Sequence, residues 1–257
     1  MPAIALTIAG SDPSGGAGLQ ADLKTFHQFG VYGEAVVTLI TVQNTVRVSR
    51  VDILSGELVR QQLDAVLQDI PPSAVKTGAM GDSAVIEAVA DCKFVCPLVV
   101  DPVMISKHGA PLMDAGARAT LRDRLLPKAL LVTPNLYEAA ELAGIEVSTP
   151  EQMREAARRI AGIGAGAVLV KGGHLAGDAL DILFFRGEFR EFRSPRTDTP
   201  HTHGTGCTYS AAITAGLARG LPLADAVEQA KRFITNAIRG NPGLGQGSGP
   251  VNHFASL

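Results

Sequence analysis

Strand-length apolar runs alternate with helix-period segments through most of the 257 residues, and this alternation constrains the fold more than any other feature. Residues 3–9 (AIALTIA) form the first run, followed by a Gly-rich turn and an amphipathic stretch at 17–29. Runs at 35–42, 74–79, 97–101, 129–133 and 166–171 then alternate with helix-period stretches at 56–69, 83–92, 114–125, 136–143 and 150–163. Parallel strands need a long crossover between them, and a helix supplies it. Hydrophobic residues make up 46% of the chain and Trp is absent, which suits a Val, Leu, Ile and Ala interior between sheet and helices. The expected fold class is α/β, a three-layer α/β/α sandwich on a mainly parallel central sheet, with residues 1–257 as a single domain.

After Lys171 the pattern changes. Residues 179–185 and 188–194 flank Arg186-Gly187 and read as a hairpin. Long helix-period stretches follow at 206–219 and 223–239. The segment 240–250 (GNPGLGQGSGP) is too Gly-rich for regular structure, and its composition favours a flexible linker over a loop ordered on a ligand.

Several function classes are excluded. The formal net charge is −2 with Lys and Arg scattered, so neither a nucleic-acid nor an anionic-membrane surface is expected. No apolar run reaches membrane-span length, and MPAIALTIAGSD lacks the charged start of a signal peptide; the expectation is a cytoplasmic protein. Three cysteines form no disulfide framework, and Cys92 and Cys96 read as packing thiols because no second ligand pair accompanies them.

Open α/β sheets bind ligands beyond the carboxyl ends of their parallel strands. Polar and Gly-rich residues gather there, at 9–18, 41–45, 76–83, 101–104, 133–138, 171–174 and 201–207. The turn SDPSGGAG (11–18) has neither dinucleotide-fold nor Walker spacing, and Asp12 or Ser14 capping the next helix is an equal reading. HTHGTGCT (201–208) is stronger. Gly204 and Gly206 let the backbone approach an anion before a helix N-terminus, although a tight turn capped by Thr205 fits as well. Cys207 falls in the first helical turn, where the dipole favours a thiolate; a plain packing residue is the alternative. Asn135 and Glu138 begin a helix directly after a strand, as a capping box or as ligands around Mg²⁺ and nucleotide phosphates. Lys171 ends a strand, where it either reaches a phosphoryl group or merely snorkels.

Together these stretches resemble the hydroxymethylpyrimidine/phosphomethylpyrimidine kinases of thiamin biosynthesis, in the ribokinase-like superfamily. The resemblance runs through residues 6–26, VQNT (42–45), KTGAMG (76–81), DPVM (101–104), LVTPNLYEA (131–139), VKGGH (170–174), THGTGCT (202–208) and GPVNHF (249–254). It implies phosphorylation of 4-amino-5-hydroxymethyl-2-methylpyrimidine by MgATP, then of the monophosphate, in a homodimer. It implies that Gln43 reads the pyrimidine edge, that Gly10, Asp22 and Val103 complete the pocket, and that Met80 packs on the ring. Asn135, Glu138 and Lys171 would serve nucleotide phosphates and metal, Gly204, Thr205 and Gly206 the anion hole. Cys207 would accept or orient the hydroxyl proton, where relatives outside this group carry Asp. A pyridoxal kinase of the same superfamily is the rival; a sensor without activity would have lost part of this phosphate apparatus. Residues 105–112 and 194–203 are the candidate lids.

Overall fold

A computed structural model describes residues 2–105, 112–173 and 177–257. The candidate lid at 105–112 therefore lies almost wholly outside the described residues, as does His174. The strands are β1 (Ile4–Ser11), β2 (Tyr32–Gln43), β3 (Val48–Ile53), β4 (Ala74–Thr77), β5 (Leu98–Val100), β6 (Leu131–Val132), β7 (Ala167–Gly172), β8 (Ala179–Phe185) and β9 (Glu188–Ser194). They form one sheet in the order β3-β2-β1-β4-β5-β6-β7-β8-β9. Strands β2, β1 and β4 to β7 run parallel, while β3, β8 and β9 add antiparallel edges. The first crossover, from β1 to β2, runs one way and β4 returns on the other side of β1, so the topological switch lies between β1 and β4.

Helices cover both faces, as expected. On one side lie α2 (Gly56–Asp69), α3 (Ser83–Ala90), α4 (Ala115–Thr120), α5 (Leu136–Ala143) and α6 (Pro150–Gly162). On the other lie α1 (Gly18–Gln28), α7 (Thr205–Ala218) and α8 (Leu223–Arg239). Successive strand residues serve opposite layers: Leu6, Val75, Val132 and Val168 pack under the α2–α6 layer, and Ala5, Ala74, Leu131 and Ala167 under the α1/α7/α8 layer. Helix α7 is buried from Thr208 to Leu217, which explains why that stretch carries no charged residue.

Three readings need correction. Strand β3 was not expected: VSRVDI is a polar edge with Arg50 and Asp52 paired on its exposed side. The helix expected over 114–125 is α-helical only to Thr120; Leu121–Leu125 widens to a π-turn and Leu126–Lys128 tightens to 3-10, with Pro127 unable to continue the ladder. The segment 240–250 is no free linker. Ser248 N–H donates to Thr45 O at 2.9 Å and Gly247 N–H to Thr45 Oγ1 at 3.3 Å. Ser248 Oγ donates to Pro200 O at 2.9 Å, and the His203 amide to Gly249 O at 3.0 Å. The segment thus ties the β2–β3 turn to the loop before α7.

Candidate functional site

A cavity of about 890 Å³ opens at the carboxyl ends of the parallel strands, beside the switch point. Two loops from distant parts of the chain form its floor: the turn after β1 and the loop entering α7. Gly204 caps α7 with φ +76°, a left-handed conformation that displaces Thr205 from the expected cap position; Thr205 Oγ1 instead donates to Thr202 O at 2.7 Å. A Cβ on Gly204 would stand 1.8 Å from Gly16 O, so glycine is what lets the loops touch. Thr205, Gly206 and Cys207, in the first turn of α7, line the cavity, where a helix leaves its first amides without intrahelical partners.

Asp12 does not cap α1, and neither does Ser14. Asp12 gathers the turn instead. Its Oδ1 accepts from the Ser14 amide at 2.8 Å and Ser14 Oγ at 2.7 Å; its Oδ2 accepts from the amides of Gly16 at 3.2 Å and Ala17 at 2.9 Å. His203 Nε2 meets the same Oδ2 at 2.8 Å. Burial opposes charge on this carboxyl, but hydrogen bonds from His203, Ser14 and Gln43 outweigh it and hold Asp12 far below the usual carboxylate range.

A polar row crosses the sheet on the face toward α1, α7 and α8. Thr7 and Lys76 are register neighbours on β1 and β4, and both donate to Asp22 Oδ2 of α1, at 2.6 and 2.7 Å. Asp101 follows β5; it accepts from Lys171 Nζ at 2.9 Å, Thr133 Oγ1 at 3.1 Å and Ser210 Oγ at 3.1 Å. Burial works against the charge on Lys76, yet Asp22, Cys207 and Asp101 outweigh it and raise its pKa. On Lys171 burial is likewise outweighed, by Asp101 and Glu138.

The capping-box reading of TPNLYE holds. Asn135 and Glu138 form a complete capping box on α5, with Asn135 Oδ1 accepting from the Glu138 amide at 2.9 Å and Glu138 Oε2 from the Asn135 amide at 2.8 Å. The same carboxyl borders the cavity. Burial pushes it up to about 7; Lys171 lowers it and Asp101 adds to the rise. No group of three His, Cys, Asp or Glu side chains able to hold a metal occurs among the described residues. A Mg²⁺ held by one or two carboxylates and the substrate's phosphates needs no such group, and Glu138, a buried carboxyl bordering the cavity, has the chemistry for it.

Ten of the twelve sequence-derived site residues line this cavity: Gly10, Gln43, Val103, Asn135, Glu138, Lys171, Gly204, Thr205, Gly206 and Cys207. Asp22 and Met80 do not. Asp22 is fully buried beneath the floor, bound to Thr7 and Lys76, and Met80 sits within the core under the α2–α6 layer. The expected acidic Cys207 is also corrected. Burial pushes its thiol up to about 11; Lys76 and the Gly18 amide lower it, while the carboxylates of Asp22 and Asp101 reinforce the rise beyond what a helix terminus offsets. Sequence reasoning missed Lys76 and Asp101, and read Asp12 only as a helix cap. A charged residue inside or just after an apolar strand, as in AVKT and LVVD, was the available signal.

The family described as phosphomethylpyrimidine kinase matches residues 12–252. The chain is 52% identical over 254 residues to the thiamine biosynthesis bifunctional protein ThiED of Geobacter sulfurreducens, covering 97% of this chain but spanning about half, 52%, of that protein. It is 48% identical to a hydroxymethylpyrimidine/phosphomethylpyrimidine kinase of Staphylococcus aureus, over 100% of this chain and 95% of the other. Among solved structures, the ADP complex of Bacillus subtilis pyridoxal kinase superposes with a TM-score of 0.90 at 39% identity, over 99% and 98% of the two chains.

Proposed function

Because the chain belongs to the phosphomethylpyrimidine kinase family, we propose that it transfers the γ-phosphoryl group of ATP to 4-amino-5-hydroxymethyl-2-methylpyrimidine, and a second to the resulting monophosphate, in thiamin biosynthesis. The observation that carries this reading is one cavity in which an amide-bearing end, Gln43, and a cationic end, Lys171 with Glu138, meet at the left-handed Gly204 loop and Cys207.

In this reading the pyrimidine lies against Gly10, Gln43 and Val103, with Gln43 offering a donor and an acceptor to the ring nitrogen and amino group. ATP phosphates lie toward Asn135, Glu138 and Lys171. The hydroxymethyl oxygen attacks the γ-phosphorus in line; the new O–P bond forms as the bond to ADP's leaving oxygen breaks. Charge on the transferring group is met by Lys171 and the amides of the Gly204–Gly206 loop. Cys207, protonated at neutral pH, orients the attacking hydroxyl rather than removing its proton, which a loose transition state does not need early. Glu138 would hold Mg²⁺, which would supply charge neutralisation for the nucleotide phosphates. Asp22 acts by holding Lys76 beneath the floor, and Met80 by shaping the core behind it.

Residues 1–257 are read as a single domain, supported by one sheet through the chain. A cytoplasmic homodimer is the proposed state; the dimer is supported by exposed apolar side chains at Ile40 and Val42 of β2, Ile53 of β3 and Val46 in the turn between them. No helix among the described residues is long and apolar enough to cross a membrane. Sedimentation velocity tests the dimer, and a monomer at micromolar concentration would exclude it.

Incubation with MgATP and the aminopyrimidine alcohol, followed by mass analysis for mono- and pyrophosphate products, tests the activity. Absence of both products under varied conditions would refute it. Likeness to a pyridoxal kinase makes pyridoxal the comparison substrate, and a kcat/KM ratio in its favour would replace the pyrimidine reading.

A further inference from the structure

Lys171 stands between two carboxylates and is bonded to one of them. In the sheet order β5-β6-β7-β8, Asp101 lies on one side of it and Asp181 on the other. Lys171 and Asp181 sit opposite each other in the antiparallel β7–β8 pairing, so their side chains share a face with Cβ atoms about 5 Å apart. That face is the one under α1, α7 and α8, because Leu169 and Leu183, two residues along each strand, pack there. The Lys171 amide is held by Pro134 O at 2.8 Å, so the choice between carboxylates falls to the side chain. Its Nζ donates to Asp101 at 2.9 Å and lies 3.5 Å from where a Cβ on Gly206 would stand, beneath the first turn of α7. Asp181 is already occupied. Lys231, from α8, donates to its Oδ2 at 2.7 Å and to Ala179 O at 2.9 Å, while the Gly172 amide donates to its Oδ1 at 3.1 Å. The Lys231 and Asp181 side chains are only 9% and 4% exposed. A pair buried this deeply is a weak source of stability, because desolvation offsets the attraction.

We infer that Lys231 is a positioning residue: by satisfying Asp181 it leaves the Lys171 ammonium on Asp101, in place to meet the transferring phosphoryl group. This rests on the proposed kinase activity. Without Lys231, Asp181 keeps only the Gly172 amide and one of its oxygens has no donor. The nearest cation on the same face is then its cross-strand neighbour, and the unpaired anion draws Lys171 away from Asp101 and from the loop entering α7. The effect depends on sign. An unpaired carboxylate beside Lys171 pulls it out of place, whereas an unpaired ammonium at the end of Lys231 repels it toward Asp101.

That asymmetry is the test. Lys231→Met lowers kcat for the aminopyrimidine alcohol about tenfold. Adding Asp181→Asn to Lys231→Met removes the competing charge and returns kcat to within about threefold of wild type. Asp181→Asn alone lowers Tm, since it strands a buried cation, but keeps kcat within about threefold. A merely structural ion pair gives another pattern, because each single variant strands a buried charge and both lose kcat alike. Equal losses in the two single variants, or no recovery in the double variant, overturn the inference. Should Lys231→Met fail to fold, Lys231→Gln still donates to Asp181 without carrying charge and is read in the same way; an unchanged kcat in it overturns the inference too. The Lys171 ammonium is followed separately by ¹⁵N NMR, its Nζ signal assigned by its loss in Lys171→Met. The signal shifts in the Lys231 variant and returns in the double variant; a signal that stays put overturns the inference. If the wild type phosphorylates neither the aminopyrimidine alcohol nor pyridoxal, the activity reading fails, while the NMR measurement still decides whether Lys231 directs Lys171.

Discussion

Gly204→Ala adds one carbon, and its cost divides cleanly between stability and catalysis. Holding Ala at φ +76° costs about 1 kcal/mol relative to an ordinary helical conformation. In a chain of this size that lowers Tm by about 2–4 °C. The steric part is different in kind. The new Cβ would stand 1.8 Å from Gly16 O, whereas real Cβ contacts essentially never fall under 3.0 Å. At least about 1.2 Å must be absorbed, and Gly16 cannot yield easily because Asp12 holds its amide. The displacement therefore falls on the loop leading into Cys207. A misplacement of about 1 Å costs about 100-fold in rate, equivalent to about 2.7 kcal/mol of transition-state stabilisation. A coupled assay of ADP release with the aminopyrimidine alcohol, run beside scanning calorimetry, reads both parts. The expected outcome is a kcat about 100-fold lower with Tm only a few degrees down. A folded variant with kcat within about threefold of wild type would refute the assignment of this loop to phosphoryl transfer.

Other outcomes follow from the same geometry. Burial, and then Asp69, raise the Glu34 carboxyl to about 7. A carboxyl raised in this way adds stability that is complete below its unfolded value near 4.5 and is lost as pH rises through 7. Glu34→Gln should therefore raise Tm at pH 8 relative to wild type and change it little at pH 4.5; equal shifts at both pH values would contradict this. Site-resolved alkylation of Cys207 by iodoacetamide should stay slow through pH 8 and climb steeply toward pH 11, and a plateau reached by pH 8 would show an acidic thiol instead. Gly247→Ala would bring a Cβ to 2.2 Å from Thr45 O, pushing aside the turn that follows Gln43. KM for the aminopyrimidine should rise about tenfold with KM for ATP unchanged, and equal changes in both would remove the link between 240–250 and the acceptor end.

The layered fold was legible because buried parallel strands and their covering helices write long, regular apolar patterns. Strand β3 was not, because half of VSRVDI faces solvent and an edge strand carries charge rather than alternation. The cavity's rim was readable from glycines and polar residues after strands. Its floor was not. Lys76 interrupts an apolar strand and becomes intelligible only when its register neighbour Thr7 and the helical Asp22 close around it. Cys207 shows the limit of local reasoning most clearly: a helix N-terminus argues for an acidic thiol, but the burial and carboxylates that reverse the sign come from α1 and β5. The Gly-rich stretch at 240–250 misled for the opposite reason, since composition reports what a segment cannot form and is silent on what it is tied to.

The Asp12–His203 contact closes a loop of 191 residues, and the Gly16–Gly204 approach depends on the same closure. Such a loop carries a large entropy cost that no single contact repays, so its ends meet only after the intervening strands have paired and narrowed the search. The site is thus a late product of folding. Partly folded chains with most of their sheet in place still lack it, and the regain of activity on refolding reports docking of α7 rather than formation of the sheet.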